Sequence, residues 1–253
     1  MEPQTHSHGP SLSVPAAIII AGAIIGGSLI IGLRSANVGN VGSGTAAPVG
    51  AAAPAAKAVN VKNVKITASD PYIGKANAPV TLAYWSDYQC PFCKAVEVGG
   101  VPQITVSASI PTLIKNYVDT GKLRIVFKDY PFLGNDSITA ALYEHAVWEK
   151  YPSLFYTWRE AMFKAQDQEG DVGFGNEASI LKLIATIPGM DANALKALVA
   201  ENKDRYTTEM NADKDEGTSL GVQGTPAFIT GTVFIDGAQP LSSFTSAIDA
   251  QLK

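Results

Sequence analysis

The chain has 253 residues, 46% of them hydrophobic and 17% charged, enough apolar material for one sizeable domain with appendages or for two small domains. A net charge of −4 with no cluster of Lys or Arg argues against nucleic-acid binding. Two cysteines are too few for a disulfide-rich scaffold or a four-cysteine zinc site. Of the three histidines, His6 and His8 lie in the N-terminal tail, apart from His145, so no metal site is expected.

Residues 1–15 read as a tail. Ala16 to Leu33, AAIIIAGAIIGGSLIIGL, carries no charge over 18 residues, near the shortest length that spans a bilayer. The tail lacks the Lys or Arg of a signal peptide, so residues 16–33 are expected to be a retained transmembrane anchor, with a cleaved signal peptide as the alternative. Gly22 and Gly26 stand in a G-x-x-x-G spacing that offers a helix-pairing face and hence a homodimer. Arg34 follows the apolar run directly, and by the positive-inside rule it would put the C-terminal part in the cytoplasm. It is a single charge, and a long domain can override it. Residues 34–59 are rich in Gly, Ala and Pro and read as a flexible tether.

The remainder alternates strand and helix patterns. Val61–Thr67 alternates like an edge strand, and Pro79–Trp85 reads as a buried strand that runs into the cysteines. After Lys94, the stretch AVEVGGVPQITVSAS should break the first helix at Gly99, Gly100 and Pro102. Pro111–Thr120 has a helix pattern that stops at Gly121, and Leu123–Tyr130 is a strand. Helices are expected over Ser137–Ala165 with an interruption near Pro152, over Glu177–Thr186 and over Ala192–Glu216. Pro226–Thr230 and Thr232–Asp236 form a hairpin about Gly231, and Leu241–Leu252 is an amphipathic closing helix.

Both cysteines fall in YWSDYQCPFC, Tyr84 to Cys93. A C-x-x-C alone fits a structural disulfide or half a zinc knuckle as well as a redox centre. The strand–CxxC–helix context favours redox, because a helix N-terminus presents unpaired amides and a positive dipole end to the first sulfur and lowers its pKa. Cys90 would then be the attacking thiol and Cys93 the resolving one. Pro91 suits a helix start, and Phe92 has no side-chain donor to offer a sulfur. In GVQGTPAFI, Thr225–Pro226 alone reads as an ordinary trans proline at the start of an edge strand. A cis bond would instead turn the Thr225 carbonyl and amide toward the cysteines.

The stretches SDYQCPFCK, GKLRIVFKDYP and LGVQGTPAFI…GTVFIDG resemble, in this order, the DsbA-like branch of the thioredoxin superfamily, close to its membrane-anchored, BdbD-like thiol–disulfide oxidoreductases. The resemblance runs from about Val61 to the C-terminus. It implies an α/β thioredoxin fold over residues 60–253, with a helical subdomain inserted at about 136–217. It also implies Cys90 as nucleophile, Cys93 as resolving thiol, and Thr225 and Pro226 as a cis-proline loop that pairs with substrate backbone. The implied activity is disulfide formation in extracytoplasmic proteins bearing cysteines, with reoxidation by a quinone-linked membrane partner of the DsbB or VKOR kind and no organic cofactor. The alternatives are an isomerase or reductase kept reduced by another donor, and a tethered binding or chaperone module with a structural disulfide. The stretch after Lys94 is longer than that pattern and puts the surface around Cys90 in question.

Asp87 could tune the thiols or relay a proton, but capping the helix or simple solvation is the plainer reading. Lys94 could favour a thiolate, or be an ordinary solvated helix residue, and Glu97 carries the same ambiguity. His145 reads as a packing or surface residue. The aromatic residues Trp148, Tyr151, Phe155, Tyr156, Trp158 and Phe163 read as the core of the helical subdomain.

Overall fold

The computed structural model describes residues 59–253. The tail, the expected anchor with Gly22 and Gly26, and all but the last residue of the tether lie outside the described residues. Among the described residues no helix is long and apolar enough to cross a membrane.

Five strands form one mixed sheet in the order β1-β3-β2-β4-β5: β1 Tyr72–Ile73, β2 Val80–Ser86, β3 Leu123–Asp129, β4 Ala227–Thr230 and β5 Val233–Asp236. The run VTLAYWS of β2 is almost wholly buried, as expected of a central strand covered on both faces. Its period-2 alternation divides the core. Val80, Leu82 and Tyr84 join the large cluster that includes the helical insert, while Ala83 and Trp85 pack with Val222, Ala227 and Ile229 on the other face.

The register places the ends that matter. β2 and β3 run parallel from Val80↔Leu123 to Ser86↔Asp129, and β4 runs antiparallel to β2 with Trp85 opposite Ala227. The residues after Ser86 and those just before Ala227 therefore meet at one edge of the sheet. That brings the CxxC segment beside Thr225–Pro226.

Helix α1 spans Pro91–Glu97, and Gly99 and Gly100 follow it with φ of 71° and 76°, so the expected break occurs there. Helix α2, Ser109–Leu113, continues as a π-helical turn through Val118, where Asp119 N donates to Ile114 O at 2.9 Å. Between β3 and β4 lie α3 Asn135–Lys150, a 3₁₀ turn at Pro152–Leu154, α4 Phe155–Ala165, α5 Glu177–Ile184 and α6 Ala192–Leu220. Asn176 caps α5 by accepting from Ser179 N, and Asp191 caps α6 by accepting from Asn193 N and Ala194 N. Helix α7, Leu241–Asp249, closes the chain. Phe155, Trp158 and Phe163 are buried in the insert as expected of a core.

Two expectations are corrected. Val61–Thr67 forms no strand; Val61–Asn63 is a 3₁₀ turn capped by the Asn60 side chain, and Val61 N donates to Gly231 O at 2.7 Å. The edge beside β3 is instead formed by β1, Tyr72–Ile73, antiparallel to it, and β5 forms the other edge. Helix α6 also does not stop at Glu216; it runs through Gly217 to end at Gly221, which takes the left-handed conformation with φ 100°.

Candidate active site

Strand β2 delivers the chain through Asp87, Tyr88 and Gln89 to Cys90, which is the N-cap of α1, with Pro91 in the first helical turn. The Cys90 sulfhydryl donates to the Thr225 carbonyl at 3.2 Å, across a cis Thr225–Pro226 bond. Both thiols are free; Cys90 is 3% exposed and Cys93 fully buried. Phe92, between them, is 49% exposed.

The two thiols are electrostatically unequal. A hydrogen bond from the Cys93 thiol lowers the pKa of Cys90 against the opposing effect of burial, aided by the Thr225 side chain and by the backbone amides of Cys93 and Phe92. Those amides are the helix-terminal donors that the sequence pattern implied. Cys93 is pushed well up, by burial first and then by the neighbouring Cys90.

Asp87 is neither a helix cap nor solvated. Its Oδ1 accepts from Gln89 N at 2.8 Å, and its Oδ2 accepts from Phe132 N at 2.9 Å and Leu133 N at 3.2 Å. It is buried, which raises its pKa. The carboxylate thus pins the loop after β3 to the loop before Cys90. Lys94 is not a freely solvated residue either, since its Nζ donates to the Gln166 carbonyl at 2.6 Å. The loop after Lys94 leaves from the far end of α1, about 10 Å along the helix from Cys90 at 1.5 Å per residue.

Behind α1 a buried polar cluster fastens the helical insert to the site. Arg159 on α4 donates to Glu97, to the Tyr88 hydroxyl and to Ser86 Oγ, and its guanidinium lies 4.2 Å from the Phe127 ring centroid. Burial raises the Glu97 carboxyl despite that partner. His145 is buried and its Nε2 meets Asp129 Oδ2 at 2.8 Å, away from the cysteines. The sequence pattern did not single out Tyr88, Gln166 or Arg159. Each is tied to the site only across the fold, and no local spacing marks such a contact. A cavity of about 650 Å³ lined by His145, Trp148, Arg205 and Glu209 includes neither cysteine. Among the described residues no group of three or more His, Cys, Asp or Glu is placed to hold a metal.

A strand-to-helix CxxC whose first sulfur contacts a cis-proline loop, with a buried second thiol, defines a thiol–disulfide exchange protein. The chain belongs to the thioredoxin family, whose model matches residues 67–250. It is 28% identical over 188 residues to a probable disulfide bond formation protein D from Bacillus anthracis, covering 72% of this chain and 77% of that one. To the disulfide bond formation protein D of Bacillus subtilis it is 26% identical over 186 residues, with the same coverage. Among solved structures, the thiol-disulfide exchange protein alpha-DsbA2 from Wolbachia pipientis matches with a TM-score of 0.60 at 27% identity, covering 72% of this chain and 87% of that one. The fold is also that of oxidised BdbD from Bacillus subtilis, with a TM-score of 0.61 at 24% identity, covering 73% and 93%. The chain is a DsbA-like thiol–disulfide oxidoreductase.

Proposed function

We propose that the chain forms disulfides in cysteine-bearing extracytoplasmic proteins, with Cys90 as the exchanging sulfur and Cys93 as its partner. The observation that carries this reading is the inequality of the two thiols. Contacts that favour a Cys90 thiolate stabilise the reduced pair, and a stabilised reduced form makes the disulfide a stronger oxidant. The relatives named for disulfide bond formation support the same direction.

In the oxidised enzyme a substrate thiolate attacks Cys90 Sγ. The Cys90–Cys93 bond breaks, and Cys93 leaves as a thiolate that takes up a proton. A second substrate thiolate then attacks the substrate sulfur of the mixed disulfide and releases Cys90 as its thiolate. Two electrons pass from the substrate dithiol to the pair. In this reading the Thr225–Pro226 loop lines up substrate backbone beside Cys90, and Phe92 offers it an apolar contact. Asp87, Pro91 and Lys94 set the loop and helix start that hold Cys90.

Residues 16–33 serve as a single-pass anchor with the domain outside the cytoplasmic membrane, residues 34–59 as the tether, and Gly22 and Gly26 as a face through which two anchors pair. The domain proper spans residues 60–253. A quinone-linked membrane protein of the DsbB or VKOR kind takes the electrons onward. The test combines trapping with a redox titration. Cys93→Ala should accumulate mixed disulfides with cellular proteins through Cys90, and Cys90→Ser should accumulate none. A pair that equilibrates far to the reducing side, near the potential of thioredoxin at about −270 mV, would show a reductase or isomerase instead.

A further inference from the structure

Gln166 belongs to no motif, yet its side chain reaches the loop that carries the cysteines. It follows α4 directly and is 4% exposed. Its Nε2 donates to the Tyr88 carbonyl at 2.7 Å and to the Cys90 carbonyl at 3.1 Å. Its own backbone carbonyl, at the C-terminal end of α4, accepts from Lys94 Nζ at 2.6 Å, a cation placed where a helix C-terminus favours one. The two segments therefore hold each other reciprocally, one amide reaching toward Cys90 and one ammonium reaching back from α1.

We propose that Gln166 is a positioning residue that clamps the Cys90 backbone to the helical subdomain and thereby sets the reactivity of the Cys90 thiolate. The proposal rests on the reading of Cys90 as the exchanging sulfur. The Cys90 carbonyl oxygen carries partial negative charge on the same residue as the sulfur. It already accepts the first helical bond, from Lys94 N at 3.1 Å, and the Gln166 amide adds a second donor that offsets this charge when the sulfur ionises. The same bond restrains the peptide plane between Cys90 and Pro91. That plane fixes the aim of the sulfur at the Phe92 and Cys93 amides, and hydrogen bonds weaken steeply when misaimed. Without the amide, the buried Tyr88 carbonyl also loses its donor, which frees the loop to move.

The clamp couples distant parts of the sequence. Tyr88 also stacks on Phe163 at 5.0 Å and takes a hydrogen bond from Arg159 through its hydroxyl, so α4 grips the side chain of Tyr88 while Gln166 grips the backbone on either side of Gln89. A shift of the helical insert is thereby transmitted to the nucleophile.

The experiment follows alkylation of reduced full-length protein by iodoacetamide from pH 4 to 10, with Gln166→Met, which keeps the volume without the donors, and Gln166→Glu, which keeps the shape but replaces the amide with a carboxylate. Thermal unfolding is recorded in parallel. Gln166→Met should react about threefold to tenfold more slowly than the parent at pH 6, the worth of one hydrogen bond, and at an equal rate at pH 10, where the thiol is fully ionised. Gln166→Glu, whose carboxyl burial keeps protonated at pH 6, should become slower still at pH 8, once the carboxyl ionises beside the Cys90 thiolate. A variant that is less stable but keeps the parent pH profile would overturn the proposal and leave Gln166 a packing residue. Should Gln166→Met fail to fold, an unchanged profile for Gln166→Glu overturns it equally. A parent protein whose Cys90 shows no reactivity below the ordinary thiol range would instead sink the underlying reading of Cys90.

Discussion

Arg159 Nε donates to Glu97 Oε1 at 2.8 Å with both side chains fully buried, so the last turn of the cysteine helix is fastened to α4 by an ion pair shielded from solvent. Removing one member of such a pair strands the other charge, which costs about 3–5 kcal/mol. Arg159→Met should therefore lower unfolding stability by about that amount in urea titrations. The loss should be greater at pH 8 than at pH 5, because Glu144, held up to about 7 mainly by burial, is the other carboxylate beside Arg159. The double variant Glu97→Met/Arg159→Met should be more stable than the single one. Equal stability would show that the pair does not act as a unit.

The central strands, the CxxC helix and the hairpin are legible in the sequence because each depends on a local pattern: an apolar run for β2, a proline at the head of α1, a glycine between β4 and β5. The polar framework around the site was not. Asp87 read as a cap because an acid just before a helix ordinarily is one, and only the return of the loop after β3 supplies the Phe132 and Leu133 amides that occupy it. Arg159 sits in an aromatic helix where a charge would be expected to face water. Its three hydrogen-bonding partners lie 62 to 73 residues away in sequence. The VKNVKIT stretch alternates as a strand does, but Asn60 offers a local cap that competes with the sheet and wins.

The largest contribution to the Cys90 thiolate is the hydrogen bond from Cys93, which Cys93→Ala removes. The midpoint of Cys90 alkylation against pH should move upward in that variant. The rate at pH 6.5 should fall by about tenfold, the worth of one hydrogen bond to an anion. In the parent, Cys93 should stay unmodified by iodoacetamide through the range in which Cys90 reacts, read by peptide mass mapping. Faster modification of Cys93 than of Cys90 would reverse the assignment of the two thiols.

His145 should make stability fall on the alkaline side. Burial alone would lower its pKa, but the hydrogen bond to Asp129 and the charges of Asp129, Glu144 and Glu209 outweigh burial and raise it from 6.5 to about 9. A group raised on folding stabilises fully below its unfolded value and loses that contribution as pH climbs through the folded one, here between 6.5 and 9. The shift corresponds to about 3 kcal/mol. Glu144 and Asp213, each held near 7 mainly by burial, also withdraw stability with rising pH, but between about 4 and 7. In the oxidised protein, where the disulfide removes the titration of Cys90 and Cys93, the window from pH 7 to 9 therefore isolates the histidine. The urea midpoint should drop across that window in the parent and stay nearly flat in His145→Asn. Parallel curves for the two proteins would show that His145 does not titrate there.

Gly217 lies inside a 29-residue helix, where replacing glycine with alanine ordinarily gains about 1 kcal/mol of helix propensity. Here the opposite is expected. A Cβ at Gly217 would come within 2.7 Å of Trp85 Nε1 and 2.8 Å of Trp85 Cδ1. Trp85 is a fully buried residue of β2 whose indole donates to Asp213 O at 3.0 Å one turn earlier in the same helix. The glycine is thus the point at which α6 crosses the sheet, and its missing side chain is the space the indole ring fills. Gly217→Ala should lower stability by about 1–3 kcal/mol through overpacking, with a change in tryptophan fluorescence that reports displacement of Trp85. Gly221→Ala, where a Cβ meets nothing within 4 Å but φ is 100°, should cost stability through backbone strain alone and leave the fluorescence as in the parent. A gain in stability for Gly217→Ala would mean that helix and indole move apart freely, and that the close crossing does not constrain the strand leading to Cys90.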